Sequence, residues 1–340
     1  MSPRISPAPP LPLRILGTGC HHPAARIPST TFDARWQRAA GATFAATGVR
    51  ERGVAAADET ASWMAAEAAR AALGAAGLAA TDLDAIVSAC SVMEQPIPCQ
   101  AALVQRALGL ERSGIPAFDV NATCLSFLVA LELAATSIAC GRHRRVLVVA
   151  SEVPSRGLRP DDADTAALFG DGAAAAVLGA DEGGGASALL SSRMATYAAG
   201  ADLCRLRGGG TRLPPAAIGD DDRHATCFEM DGPAIYRAAA RHLPRFFASL
   251  LADAGADVAD LACIVPHQAS GGGLDHMART LRLPPGRVMR ILDGHGNQVA
   301  ASIPHALHHA IAQGRLRRGE LCLLLGTGAG LSLGGAVLRY

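Results

Sequence analysis

Along this chain short apolar runs alternate with longer segments in which apolar residues return every three to four positions. Leu13–Leu16, Val146–Ala150 and Leu321–Leu325 are runs too short for buried helices and read as strands covered on both faces. From Phe118 the pattern changes within a few residues: an extended apolar stretch ends, the polar Asn121 and Thr123 follow, and Cys124 opens a long Ala/Leu-rich segment with helical spacing. Strands alternating with helices predict a largely parallel sheet with helices on its faces. Two Gly-rich stretches interrupt the rhythm. Asp181-Glu-Gly-Gly-Gly-Ala186, after the strand ending at Leu178, marks a break between two halves. Gly208–Thr226, rich in Gly, Pro and Asp, predicts a surface loop near a site entrance. The Pro-rich residues 1–12 predict a flexible tail, too broken by proline for a signal-peptide core. The expected units are therefore 1–12, 13–183 and 184–340.

The two halves echo each other. Leu73, Ala76, Gly77, Asp82, Leu83, Ile86 and Val87 recur 178 positions later as Leu251, Ala254, Gly255, Asp260, Leu261, Ile264 and Val265. A second block repeats at 176: Asn121, Ser126, Ala130, Leu131 and Leu147 match Asn297, Ser302, Ala306, Leu307 and Leu323. Two blocks at nearly one offset point to duplication, which makes the Cys124 loop and the Asn297 loop counterparts facing each other near a pseudo-dyad.

Composition narrows the function classes. The chain is 50% hydrophobic, 18% charged and only 4% aromatic, with a net charge of +1. That is a globular protein with neither the field nor the aromatic platforms for nucleic acid. No apolar stretch is long enough for a membrane span. Nine cysteines, odd in number, irregular in spacing and without a C-x-x-C pair, argue against a disulfide framework or a structural zinc site and fit a reducing cytoplasm.

Candidate chemistry gathers at strand ends and helix starts. A thiol at a helix N-terminus meets unpaired N–H groups and the positive end of the dipole, so Cys124 is expected to have a lowered pKa. His267, straight after a buried strand in V-P-H-Q-A, and Asn297, in G-N-Q-V-A-A-S, supply a proton handler and an amide donor. The Gly-rich tail G-T-G-A-G after Leu325 offers backbone N–H groups at Gly328 or Ala329 which, with that of Cys124, form an oxyanion hole. A phosphate loop is absent, and Gly17-Thr-Gly19 lacks the acidic partner of a dinucleotide fingerprint.

From Leu13 to Tyr340 these motifs, in order, resemble the ketoacyl-acyl carrier protein synthase III family of thiolase-like condensing enzymes: T-G-V-R-E-R from Thr47, A-F-D-V-N-A-T-C from Ala117, F-G-D-G from Phe169, V-P-H-Q-A, G-N-Q-V-A-A-S-I-P and the Gly-rich end. The resemblance implies a five-layered α-β-α-β-α fold built from two duplicated halves. It implies a homodimer, the triad Cys124–His267–Asn297, and decarboxylative condensation of a Cys124-bound acyl group with a malonyl thioester. Substrates are then coenzyme A or acyl-carrier-protein thioesters, with no metal or redox cofactor. The alternative on the same acyl-cysteine is an acyltransferase or a non-decarboxylating head-to-head condensing enzyme.

Departures accompany the match. Where the family holds the coenzyme A adenine with a tryptophan and an arginine this chain has Ala42 and Ala46. Further family arginines fall at Ala163 and Gly272, which leaves Arg156, Arg159, Arg205, Arg207 and Arg279 as substitutes. The position from which a partner subunit lends a Phe to the acyl pocket is Ile97, which predicts room for a longer or branched acyl group.

Overall fold

The computed structural model describes residues 9–181 and 186–340. Two five-stranded sheets dominate. One runs Arg14–His21, Gly172–Gly179, Arg145–Glu152, Ala85–Ser88, Ala117–Asp119. The other runs Leu11–Pro12, Ala188–Thr196, Ser332–Arg339, Leu321–Gly328, Leu261–Pro266. Beyond the short Leu11–Pro12 edge, the four strands of the second sheet repeat the first four of the first in order and direction, and even in register, while Ala117–Asp119 has no counterpart among the described strands. Ile86 lies opposite Leu147, and their counterparts Ile264 and Leu323 lie opposite each other.

Strand alternation then builds the layers, because successive side chains point to opposite faces. Ile86 and Leu147 join Ala65, Ala69 and Leu73 of the helix Ala61–Ala76 in an outer core. Val87, Val148, Val265 and Leu324 turn inward onto Phe127 and Leu131 of the helix Ser126–Ala139 and Ile303 and Leu307 of the helix Ser302–Ala312. Ile264 and Leu323 meet Leu243, Phe247 and Leu250 of the helix Gly232–Ala254 on the far side. Helix, sheet, paired helices, sheet, helix is the expected five-layered thiolase-like α/β arrangement. The alanine richness has a local cause. An added Cβ at Gly17 or Gly19 would sit 2.3 Å from the Ala72 carbonyl oxygen or 2.4 Å from that of Ala68, so this outer helix lies almost on the strand backbone.

Two expectations are corrected. The sheets are mixed, not largely parallel. Only the pairings around Ala85–Ser88 and Leu261–Pro266 are parallel, while Arg14–His21, Gly172–Gly179, Ser332–Arg339 and Ala188–Thr196 pair antiparallel. The turn between Gly328 and Ser332 is too short for a crossover, and only an antiparallel return is open to it. Next, the tail stops before residue 12. Leu11 and Pro12 pair with Leu189 and Ala188, and Leu11 packs against the central core. By contrast Gly208–Thr226 is the expected surface loop, mostly exposed and holding short 3-10 turns, and its flanks Cys204–Leu206 and Phe228 line the cavity described below. Residues 1–8 and the expected break between 183 and 184 lie outside the described residues.

Candidate active site

The duplicated loops fold into the same turn. In the first, the Asn121 side-chain oxygen accepts the Thr123 N–H (3.0 Å), Thr123 takes φ 53°, and the Ser126 hydroxyl accepts the Ala122 N–H (2.9 Å). In the second, Asn297 Oδ1 accepts the Val299 N–H (2.9 Å), Val299 takes φ 48°, and Ser302 accepts the Gln298 N–H (3.0 Å). An asparagine whose oxygen is held by a backbone N–H two residues on is an Asx turn. It also settles the amide: with Oδ1 engaged, the Asn297 NH2 is the free end, one hydrogen of which goes to the Ala269 carbonyl (3.2 Å). Cys124 stands one residue after the strained Thr123 and two before the first helical residue.

Cys124, His267, Asn297, Gly328 and Ala329 all line one cavity of about 430 Å³, a size typical of small-molecule sites. Leu158, Phe228, Ile235, Leu243, Leu274 and Met277 make much of the remaining wall apolar. The structure thus brings the expected triad and the Gly-rich tail together. It leaves out Ile97, which is 85% exposed and lines no part of this chain's cavity.

Electrostatics at the sulfur differ from the expected lowering. Burial pushes the Cys124 thiol up to about 12, with Cys204 and the buried Glu152 adding to the rise; the backbone N–H groups of Ala329 and of Cys124 itself pull the other way and lose. The physical reason is that no cationic side chain among the described residues acts on the sulfur to offset its burial. Two amide dipoles do not offset the desolvation of a thiolate. Burial alone takes His267 down to about 4, so the imidazole is neutral at physiological pH. Its Nδ1 is buried and has no hydrogen-bond partner among the described residues.

Two contributors escaped the sequence reading. Gly170 of F-G-D-G lets the Asn297 loop in. Its N–H donates to Asn297 O (3.1 Å), the Asn297 N–H donates to Leu168 O (2.8 Å), and a Cβ on Gly170 would lie 2.1 Å from the His295 carbonyl oxygen. Glu152, wholly buried, accepts the N–H groups of Ser91 and Val92 (2.7 Å each), two residues of the cavity wall, and burial raises its pKa to about 7. An acidic residue ending the apolar run Val146–Ala150 was the available signal for it. At the mouth the departures stand. Ala46 is exposed, and a Cβ built on Gly272 meets nothing within 4 Å, so space for the absent side chains exists. Arg159, Arg205 and Arg207 are engaged by Asp161, Glu229 and Asp222, and Arg156 by the Ala56 carbonyl. Exposed Arg279 has no ion pair among the described residues.

Comparison with known proteins agrees with this geometry. Residues 118–198 match the family model for 3-oxoacyl-[acyl-carrier-protein] synthase III, and residues 251–340 match that for its C-terminal part. The beta-ketoacyl-[acyl-carrier-protein] synthase III of Laribacter hongkongensis is 38% identical over 96% of this chain and 99% of its own length. An acetoacetyl CoA synthase of Streptomyces sp. is 37% identical over 96% of this chain and 98% of its own. The crystal structure of the Pseudomonas aeruginosa 3-oxoacyl-(acyl carrier protein) synthase III superposes with a TM-score of 0.86 at 34% identity, covering 97% of this chain and 98% of that one. Among the described residues no helix is long and apolar enough to cross a membrane.

Proposed function

The chain belongs to the 3-oxoacyl-[acyl-carrier-protein] synthase III family of acyl-transferring condensing enzymes, and we propose that Cys124, His267 and Asn297 carry its chemistry on a starter larger than acetyl. The observation that carries this reading is the convergence of Cys124, His267, Asn297, Gly328 and Ala329 on one cavity, in which burial keeps the histidine neutral and the asparagine turns its NH2 end free.

With the thiol held protonated at rest, His267 takes its proton as the sulfur attacks the acyl thioester. The C–S bond to the carrier breaks, and the proton leaves with the carrier thiol, which returns His267 to neutral. A malonyl thioester enters next. Loss of CO2 leaves an enolate whose oxygen is held by the imidazole N–H and the Asn297 NH2. The carbanion attacks the acyl-cysteine, and the charge that develops on the acyl oxygen falls to the two backbone N–H groups. The new C–C bond forms, the C–S bond to Cys124 breaks, a 3-oxoacyl thioester departs, and the thiolate left behind takes one proton from water to restore the resting thiol.

The starter reading rests on the apolar wall and on Ile97. Met93 (37%), Ile97 (85%) and Phe118 (42%) leave apolar side chains in water around the edge strand Ala117–Asp119, a patch that a second copy of the chain would cover. In such a homodimer Ile97 reaches the partner's acyl cavity with a side chain smaller than Phe. With small residues at 42, 46, 163 and 272, the carrier's phosphates fall to Arg279 on the cavity-lining helix Gly271–Thr280. The Streptomyces relative's name favours coenzyme A thioesters, the other relatives' names the acyl carrier protein. Acyl-loading assays across chain lengths on both carriers test the proposal: octanoyl should load faster than acetyl, and Ile97→Phe should reverse the order. Preferred loading of acetyl by the unaltered chain contradicts it.

A further inference from the structure

Apart from the acyl cavity, a second group of reactive side chains meets where the first sheet leans on the central helices. The strand Arg14–His21 turns Gly17 and Gly19 to the outer helix, so Thr18 and Cys20, with His22 beyond the strand end, face the helix Ser302–Ala312. That helix answers with His305 and His309, one turn apart, and His308, whose Nδ1 lies 3.0 Å from the Thr18 hydroxyl. The His22 ring stacks on that of His305 at 4.5 Å, and His305 on His309 at 5.1 Å. One ligand-capable atom from each of Cys20, His22, His305 and His309 lies within 4.8 Å of the other three.

The protonation pattern of the buried member points to a ligand. Gln298 Nε2 donates to the Asp171 carbonyl (3.1 Å), so its oxygen is the end that faces His305 Nδ1, which must therefore carry the hydrogen. That leaves the His305 Nε2 lone pair pointing into the cluster. Nε2 of His305, Nδ1 of His22 and Nε2 of His309 are all buried atoms without a hydrogen-bond partner among the described residues. The Cys20 sulfur lies 3.7 Å from the other ring nitrogen of His22, Nε2, and buried ring nitrogens left without partners beside a thiol are costly if nothing joins them.

We propose that Cys20, His22, His305 and His309 form a tetrahedral site for a zinc-class divalent cation. One thiolate and three imidazoles are a borderline-soft set suited to zinc. Bonds of about 2.0–2.3 Å place tetrahedral ligand atoms about 3.3–3.8 Å apart, so the side chains close by about 1 Å on binding. Cys20, His22 and His309 are only partly buried, which gives the ion a way in. The nearby Arg26 is held by the Glu51 carboxylate and the Gly294 carbonyl. As the sulfur–metal bond forms the Cys20 thiol gives its proton to water, and nothing is oxidised or reduced. The ion would clamp the end of the first strand to the central helix. Through His305 and Gln298 it would also steady the turn whose neighbouring residue is Asn297. Its ligands come in two pairs 283 positions apart, which is why the cysteine spacing argued against a structural zinc site.

The test is made on untagged full-length protein. Metal analysis should find one zinc per chain. After dialysis against a chelator, zinc should bind with one-to-one stoichiometry and raise Tm by about 5 °C. Cobalt(II) should give the intense visible bands of a tetrahedral site together with a thiolate charge-transfer band. Cys20→Ser combined with His309→Gln should weaken zinc binding about 100-fold or more and abolish the charge-transfer band, while Cys124→Ala should leave stoichiometry and spectrum unchanged. Failure of the unaltered chain to take up micromolar zinc overturns the proposal. So does binding that survives the double variant or vanishes with Cys124→Ala. If the double variant does not fold, the unaltered chain's cobalt spectrum decides: no thiolate band means no Cys20 ligand.

Discussion

The Cys124 loop and the Asn297 loop are one turn used twice, and they differ in what each does with its free backbone groups. Each leans on the segment that precedes the last strand of the opposite half. Asn297 closes a two-bond bridge with Leu168 and Gly170, so its main chain is saturated, the side chain is held at 5% exposure, and only the NH2 is offered to the cavity. Thr123 touches the equivalent segment through its hydroxyl, 3.5 Å from Ala329 O, and no such bridge forms there among the described residues. Where Cys124 stands in one copy, the other has Ala300, wholly buried. On the proposed mechanism the closed copy positions a donor and the open copy supplies the amides that hold the acyl oxygen.

The comparison breaks most visibly at the sulfur. Cys124→Ala installs the residue its twin already carries, so the fold should persist with Tm within about 2 °C. Condensation should fall about 10⁴-fold or more, read by product formation beside a melting curve. Asn297→Ala should lower condensation about 10²–10³-fold by removing an enolate donor while acyl-cysteine still forms, which single-turnover mass spectrometry separates. Ser126→Ala and Ser302→Ala each orphan an N–H, the half-buried one of Ala122 and the buried one of Gln298, at about 1–3 kcal/mol by denaturant unfolding. If the turns are equivalent, the two losses should agree within about 1 kcal/mol.

Acid gives the smallest effect. His267 titrates lower in the folded chain, about 4, than unfolded, about 6.5. Its contribution is therefore present above pH 6.5 and lost as pH falls toward 4, by about 1–3 kcal/mol. His267→Gln should flatten that part of the stability–pH curve.

Much of this was legible in the sequence, because duplication leaves a trace that composition does not erase. The matched pairs at 178 and 176 foretold that Ile86–Leu147 and Ile264–Leu323 would share a register, and that the Asn121 and Asn297 turns would be twins. What escaped has physical causes. Strand direction follows from connection lengths, not from hydrophobic runs, so the mixed sheets were missed. A helix N-terminus lowers a thiol's pKa only where solvent or a cation assists, and burial of Cys124 is a property of the packed whole. Ile97 points out of its own chain, and the convergence of Cys20 and His22 with His305 and His309 is visible only once strand and helix are packed.

The central claim is that the open turn carries the acyl group and the closed turn turns it over. Intact-mass analysis of the unaltered chain, Cys124→Ala and Asn297→Ala, first with an acyl thioester and then with a malonyl thioester, tests it most directly. The account predicts an adduct on the unaltered chain and on Asn297→Ala, none on Cys124→Ala, and rapid discharge with CO2 release from the unaltered chain alone. An adduct on Cys124→Ala, or discharge from Asn297→Ala at the unaltered rate, would contradict it.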